Sequence, residues 1–108
     1  LASSVSCVHK YQLDSSGLRA LDLESDVVII YTANWCPVCK RAKLFLDEQG
    51  IEYIELNYED VKEQRRLLTM ARELNYAGDL NGVPIFIARK RMIVGFSPTW
   101  LLKALEKT

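Results

Sequence analysis

Hydrophobic and polar residues follow one another along the chain in patterns that predict seven elements between residues 27 and 107. Residues 27–31 are a run of β-branched and aromatic side chains, which is typical of a strand covered on both faces. Apolar residues then recur at helical spacing, and Gly50 predicts the end of this helix because glycine readily adopts the left-handed conformation. Residues 52–57 alternate and predict a second strand. The apolar stripe of the first helix consists of Val38, Ala42, Phe45 and Leu46.

The second half of the chain predicts a helix, a pair of strands and a last helix. Asp60 and Glu63 are spaced as in a capping box that opens the second helix. Residues 85–88 and 92–94 predict two strands, and the short turn between them makes these strands antiparallel. Ser97 predicts the start of the last helix as its N-cap, with proline following at the first helical position. The predicted buried stripe of the second helix consists of Val61, Leu67, Leu68, Ala71 and Leu74.

The element order is therefore β-α-β-α-β-β-α, which predicts an α/β fold. A β-α-β unit uses a right-handed crossover, so the first two strands are parallel. We expect a mixed four-stranded sheet with helices on both faces, formed by a domain of residues 27–108. Residues 1–26 are polar and mixed, and a turn signal at residues 14–17 predicts a short β-hairpin in this N-terminal extension.

Composition narrows the class of protein. Of 108 residues, 49% are hydrophobic and 26% are charged, a mixture that excludes a disordered or low-complexity chain. Fourteen basic residues balance fourteen acidic ones, so the charge predicts no nucleic-acid partner. The longest apolar run has about five residues, against roughly 20 for a membrane span. We expect a monomer that neither binds nucleic acid nor spans a membrane.

The start of the chain and its first cysteine leave the compartment and the role of Cys7 open. Leu1 is not methionine, so we expect that upstream residues were removed, either with a signal segment or by trimming. The compartment is then the bacterial cytoplasm by default, or the cell envelope if a signal segment was cleaved. Three cysteines, an odd number, predict no disulfide scaffold. Cys7 is a passenger, a lipid or crosslink site, or a metal ligand; the first is typical of a lone cysteine near a terminus.

Cys36 and Cys39 form a C-P-V-C motif between the first strand and the first helix. We expect Cys36 at the helix N-terminus, where free backbone N–H groups and the helix dipole favour a thiolate. Cys39 would lie one turn inside, shielded but close enough to attack a mixed disulfide on Cys36. The positive charges of Lys40, Arg41 and Lys43 further favour the thiolate. This spacing predicts Cys36 as the nucleophile and Cys39 as the resolving thiol.

A zinc site is the alternative use of these two cysteines. Zinc takes about four ligands, and Cys7 and His9 would complete a set of three cysteines and one histidine. The Cys7-x-His9 spacing is unusual for zinc, whereas a CxxC between a strand and a helix is typical of redox proteins. We therefore favour redox chemistry and expect no metal ligand.

Val83 and Pro84 directly precede the third strand and form the second chemical signal. A proline at a strand start can simply mark an edge. In this order of elements we favour a cis peptide bond that brings the backbone beside the thiols. The Val83 peptide group would then pair with an incoming thiol-bearing peptide as a short added strand.

Together these segments resemble the glutaredoxin family. The resemblance extends from residue 27 to about residue 107, and it is carried by residues 28–32, 36–43, 50–53, 83–84 and 95–98. It implies a thioredoxin fold and the reduction of protein disulfides or glutathione mixed disulfides, with glutathione as co-substrate and no bound cofactor. Beside the catalytic Cys36 and Cys39, the expected substrate-binding residues are Trp35, Pro37, Val38, Val83, Pro84, Gly95 and Phe96.

Three positions depart from the glutaredoxin pattern. Ala33 stands where the family commonly has a lysine that pairs with the glutathione carboxylate. Trp35 before the first cysteine is similar to thioredoxins. Residues 95–99 (G-F-S-P-T) replace the usual Gly-Gly-x-x-Asp loop and resemble redoxins that take electrons from thioredoxin reductase. The resemblance therefore implies either glutathione or thioredoxin reductase as the electron donor.

Two expectations about the motif complete the hypothesis. A redox-sensing module without turnover would use the same CxxC, and it stays an alternative to an enzyme. With Pro37 and Val38 between the thiols, we expect a reduction potential nearer to about −200 to −230 mV than to the value of about −270 mV of thioredoxin.

Overall fold

A computed structural model of the chain describes residues 27–106, and it contains the seven elements in the predicted order. The predicted hairpin in residues 1–26 lies outside the described residues, as do Cys7 and His9. The elements are β1 (Val28–Thr32), α1 (Pro37–Glu48), β2 (Tyr53–Asn57), α2 (Val61–Glu73), β3 (Ile85–Ala88), β4 (Arg91–Val94) and α3 (Pro98–Ala104).

The four strands form one mixed sheet in the order β2-β1-β3-β4, which confirms the predicted fold class. β1 and β2 are parallel, and β1 pairs antiparallel with β3. β3 and β4 are antiparallel and are joined by Arg89 and Lys90, both of which adopt positive φ, as a two-residue hairpin turn requires. The carboxyl ends of the two parallel strands therefore meet at one edge of the sheet.

Alternating strand residues fill two apolar layers, one on each face of the sheet. On the α1/α3 face, strand residues such as Ile30 and Phe86 pack against Leu46 of α1 and Leu101 of α3. On the α2 face, their chain neighbours pack against helix α2. The α2-face cluster consists of Ile29, Tyr31, Ile54, Leu56, Leu67, Met70, Ile85 and Ile87. The sheet is thus covered on both sides, which explains the continuous apolar run of β1.

The buried stripe of α2 differs from the prediction at two positions. Val61 and Leu68 are 60% and 51% exposed, whereas Met70 is fully buried between the predicted Leu67 and Ala71. The helix is amphipathic as predicted, but fewer of its apolar residues are buried than the sequence predicts. Leu68 lies about 100° around the helix from Leu67, so the two cannot both point at the sheet centre.

The start of α2 is capped by Asp60, as predicted, but without the two bonds of a capping box. Asp60 is the N-cap, and its Oδ1 accepts the Lys62 backbone N–H at 2.9 Å. The predicted bond from the Asp60 amide to the Glu63 side chain is wrong, because this amide donates to the Asn57 carbonyl at 3.1 Å. Glu63 pairs instead with Arg66 one turn along the helix, at 3.4 Å.

Candidate active site

Cys36 and Cys39 lie where β1 turns into α1. In the tight turn after β1, the Cys36 amide donates to the Ala33 carbonyl at 3.1 Å. Cys36 is the N-cap of α1, and its Sγ accepts the Cys39 backbone N–H at 3.1 Å. Both thiols are free, with 3% and 1% of the residue surface exposed, and they lie near disulfide distance. The sharp turn between strand and helix therefore brings the two sulfur atoms together, as the spacing predicts.

Burial raises the pKa of the Cys39 thiol to about 12, and its side-chain hydrogen bond with Cys36 acts in the same direction. A backbone hydrogen bond with Ala33 and the positive charge of Lys43 lower the Cys39 pKa, without overcoming the effect of burial. Cys39 is therefore a neutral thiol near neutral pH. It must lose its proton before it can attack another sulfur atom.

The loop before β3 brings a second chain segment to the thiols. The Val83–Pro84 peptide bond is cis, which confirms the expectation from the sequence. The Val83 carbonyl oxygen lies 3.9 Å from the Cys36 Sγ, and the Val83 side chain packs against the thiol cluster. The Gly95 amide donates to the Pro84 carbonyl at 2.7 Å, so the end of β4 is tied to the same loop.

The other predicted substrate-binding residues differ in where their side chains lie. Trp35 is 65% exposed and Pro37 is also exposed, whereas Val38 is half-buried and packs beside the thiols. Phe96 packs on the α1/α3 face, with its ring 5.6 Å from that of Phe45 in an edge-on arrangement. The structure thus brings Val38 to the cysteines and directs the Phe96 ring to the core, so a binding role of Phe96 stays a prediction.

Sequence reasoning missed Glu59, which lies in the loop between β2 and α2. Its Oε2 accepts the indole N–H of Trp35 at 2.8 Å. The two residues are 24 positions apart in the chain, and Glu59 sits in a polar segment that matches no motif. The contact becomes visible only because the parallel strands β1 and β2 end side by side.

Sequence reasoning also missed a polar cluster between β2 and α1. Glu55 Oε2 accepts hydrogen bonds from the Thr32 hydroxyl at 2.6 Å and from the Lys43 ammonium at 2.9 Å. A signal was present, since Glu55 alternates with the apolar Ile54 and so occupies a strand position that faces α1. A cavity of about 310 Å³ at this place is lined by Thr32, Asn34, Glu55 and Asn57.

The part of the chain that the structure describes contains neither a metal-binding cluster nor a helix that could cross a membrane. Residues 27–106 contain no group of three or more histidine, cysteine, aspartate or glutamate side chains arranged to hold a metal ion. Cys7 and His9, which the zinc alternative requires, are not among these residues. None of the three described helices has the length and apolar character that crossing a membrane requires.

Comparison with known proteins places this fold and thiol pair in a family. The sequence model of the glutaredoxin family matches residues 28–89, more than half of the chain, and the chain belongs to this family. A relative from Clostridium pasteurianum, an uncharacterised glutaredoxin-like 8.6 kDa protein in a rubredoxin operon, is 28% identical over 82 residues. That alignment covers 75% of this chain and 100% of the relative.

Solved structures show the same architecture. The glutaredoxin of Archaeoglobus fulgidus superposes with a TM-score of 0.56 at 20% identity, covering 72% of this chain and 84% of that one. The NrdH-redoxin of Escherichia coli, a glutaredoxin-like protein with a thioredoxin-like activity profile, has a TM-score of 0.51 at 25% identity. This second superposition covers 71% of this chain and 92% of NrdH-redoxin. The thioredoxin fold expected from the sequence is confirmed.

Proposed function

We propose that the protein is a thiol–disulfide oxidoreductase that reduces protein disulfides or glutathione mixed disulfides through Cys36 and Cys39. The observation that carries the proposal is the pair of free thiols at the start of α1, with the Cys36 Sγ bound by a helix N–H at 3.1 Å. Membership of the glutaredoxin family supports the same chemistry.

In the first step, the Cys36 thiolate attacks one sulfur atom of the substrate disulfide. A bond forms between that sulfur and the Cys36 Sγ, the substrate S–S bond breaks, and the first substrate thiol leaves with a proton from solvent. The Val83 backbone, whose carbonyl lies 3.9 Å from the Cys36 Sγ, then pairs with the substrate chain beside the new bond.

In the second step, Cys39 loses its proton and attacks the Cys36 Sγ. The mixed disulfide breaks, the second substrate thiol leaves, and the Cys36–Cys39 disulfide forms. Two electrons have then passed from the dithiol to the substrate, and an external thiol donor must return them. Because burial raises the pKa of Cys39, we expect the second step to be the more sensitive to pH.

Glutathione and thioredoxin reductase are the two candidate electron donors, and the site does not favour them equally. Ala33 is buried and offers no charge where the family commonly places a glutathione-binding lysine. The similarity to NrdH-redoxin, with its thioredoxin-like activity profile, supports thioredoxin reductase. We therefore propose thioredoxin reductase as the preferred donor and glutathione as the weaker one.

The test is turnover of a glutathione mixed disulfide, driven separately by glutathione with glutathione reductase and by thioredoxin reductase. We expect faster turnover with thioredoxin reductase, and none above background with the Cys36→Ser variant. Faster turnover with glutathione would contradict the choice of donor but support the enzyme. No turnover with either donor, together with a reversible Cys36–Cys39 disulfide, would favour the redox-sensing alternative.

A further inference from the structure

Glu59 and Trp35 form an exposed hydrogen-bonded pair next to the CxxC turn. Trp35 precedes Cys36 directly, and its exposed indole donates to the Glu59 carboxylate at 2.8 Å. The carboxylate therefore lies within the reach of one indole side chain from the CxxC turn.

The loop that carries Glu59 is held in place by its own hydrogen bonds. The Glu59 amide donates to the Asn57 side-chain oxygen at 2.9 Å, and the Tyr58 amide donates to the Thr32 carbonyl at 2.8 Å. The Tyr58 hydroxyl donates to the Leu80 carbonyl at 2.7 Å. The backbone of Glu59 is thus held in place, since its loop is tied both to β1 and to the segment before Val83.

No cation of residues 27–106 forms an ion pair with Glu59, whose bonding partner is a neutral indole. Lys43, the cation of the neighbouring polar cluster, is bound to Glu55 at 2.9 Å. Lys40 and Arg41 are exposed on α1 and would favour anions, and Asp60 caps α2. On the Trp35 side of the thiols, Glu59 is therefore a negative charge without an ion-pair partner among residues 27–106.

We propose that Glu59, held against Trp35, is a specificity-determining residue that favours disulfides carrying positive charge and disfavours anionic ones, glutathione mixed disulfides included. This inference rests on the proposed function. A cation next to the disulfide would stack on the exposed indole face and lie near the carboxylate. An anion in the same place would be repelled.

The test uses the reduced chain in a Cys7→Ser background, so that only Cys36 and Cys39 react. Three symmetric disulfides serve as probes: cystamine (cationic), bis(2-hydroxyethyl) disulfide (neutral) and 3,3′-dithiodipropionate (anionic). The rate of Cys36–Cys39 disulfide formation is followed by mass spectrometry near neutral pH and low salt, without any reductase. The Cys36 thiolate itself attracts cations. The decisive quantity is therefore the change in each probe's rate between the chain with Glu59 and the chain with Glu59 replaced.

In Glu59→Gln we expect the cystamine rate to fall and the dithiodipropionate rate to rise, each by about threefold. That factor corresponds to two unit charges about 7 Å apart in water. The neutral probe should be unaffected, and Glu59→Lys should shift the two charged probes further in the same directions. Glu52→Gln is the matched control, because Glu52 is exposed at the opposite end of β2 and should change no rate.

Equal effects of Glu59→Gln on the cationic and anionic probes, or the same shifts in Glu52→Gln, would overturn the inference while leaving the proposed function in place. Failure of the native chain to oxidise with any of the three probes would overturn both, since no thiol–disulfide exchange would then occur at Cys36.

Discussion

Helices α1 and α3 begin in the same way, and only one of these beginnings is a redox site. Each starts with an N-cap residue followed by proline, Cys36 in α1 and Ser97 in α3. Each cap side chain accepts the backbone N–H three residues on, at 3.1 Å for the Cys36 Sγ and 3.2 Å for the Ser97 Oγ. The two caps therefore share the same hydrogen-bond pattern on an extended cap residue.

The difference lies in the cap atom and in what occupies the third helical position. In α1 the cap is a sulfur atom, and the third position is the buried thiol of Cys39. In α3 the cap is an oxygen atom, and the third position is Trp100, which packs on the core. Capping geometry therefore stabilises a helix in both places, whereas the proposed chemistry also uses a second sulfur, and only at α1 does the Val83 carbonyl lie 3.9 Å from the capping atom.

The largest expected effect comes from making the α1 cap like the α3 cap. Cys36→Ser keeps a cap acceptor but replaces the nucleophilic sulfur with a hydroxyl. We expect disulfide reductase activity to fall by at least about 10³-fold. Thermal unfolding should change little, because serine is a good N-cap.

Cys39→Ser is the companion variant, and it should stop the reaction after the first step. Mass spectrometry should then find the substrate thiol attached to Cys36. Residual turnover of Cys36→Ser near the native rate, or a mixed disulfide on Cys39 in the native chain, would contradict the assigned roles.

A smaller effect on stability is expected from pH, because α1 carries a buried thiol at its third position and α3 does not. The pKa of Cys39 is raised to about 12 by burial, whereas an unfolded cysteine titrates near 8.5. The folded state thus holds this proton more tightly, so its contribution to stability is complete below about pH 8.5 and is lost as pH rises towards 12. Chemical denaturation of the reduced protein at increasing pH measures this loss.

The controls for this pH dependence are Cys39→Ala and the oxidised protein, neither of which has a Cys39 proton to lose. Burial also raises the pKa of Tyr53 to about 12, so some alkaline destabilisation should remain in both. An identical pH dependence in the reduced native chain and in Cys39→Ala would show that Cys39 does not titrate as described.

The smallest expected effect comes from deleting the α3 cap. Ser97→Ala should lower the free energy of unfolding by about 1 kcal/mol, because the Trp100 N–H loses its acceptor. Activity should stay at the native level. Ser97→Cys is the sharper comparison, since it places a capping sulfur on α3 without a second thiol. It should gain no reductase activity in a Cys36→Ser background, and any gain would contradict the requirement for a second thiol beside the capping sulfur.

The sequence alone determined the element order, the caps at Ser97 and Asp60, the thiol pair and its glutaredoxin resemblance. These features depend on neighbours within about one helical turn or on strand alternation, so a single chain segment is enough to predict them. The same local reasoning wrongly assigned Val61 and Leu68 to the core. The positions of apolar residues in a sequence do not show which side of a helix packs against the sheet.

Only the tertiary structure decided which charges surround the thiols. Glu59 reaches Trp35, and Glu55 reaches Thr32 and Lys43, because parallel pairing sets the ends of β1 and β2 side by side beneath α1. These partners lie 12 to 24 residues apart in the chain. A charge contact over such a separation depends on strand register and helix placement, which are settled by packing the whole core.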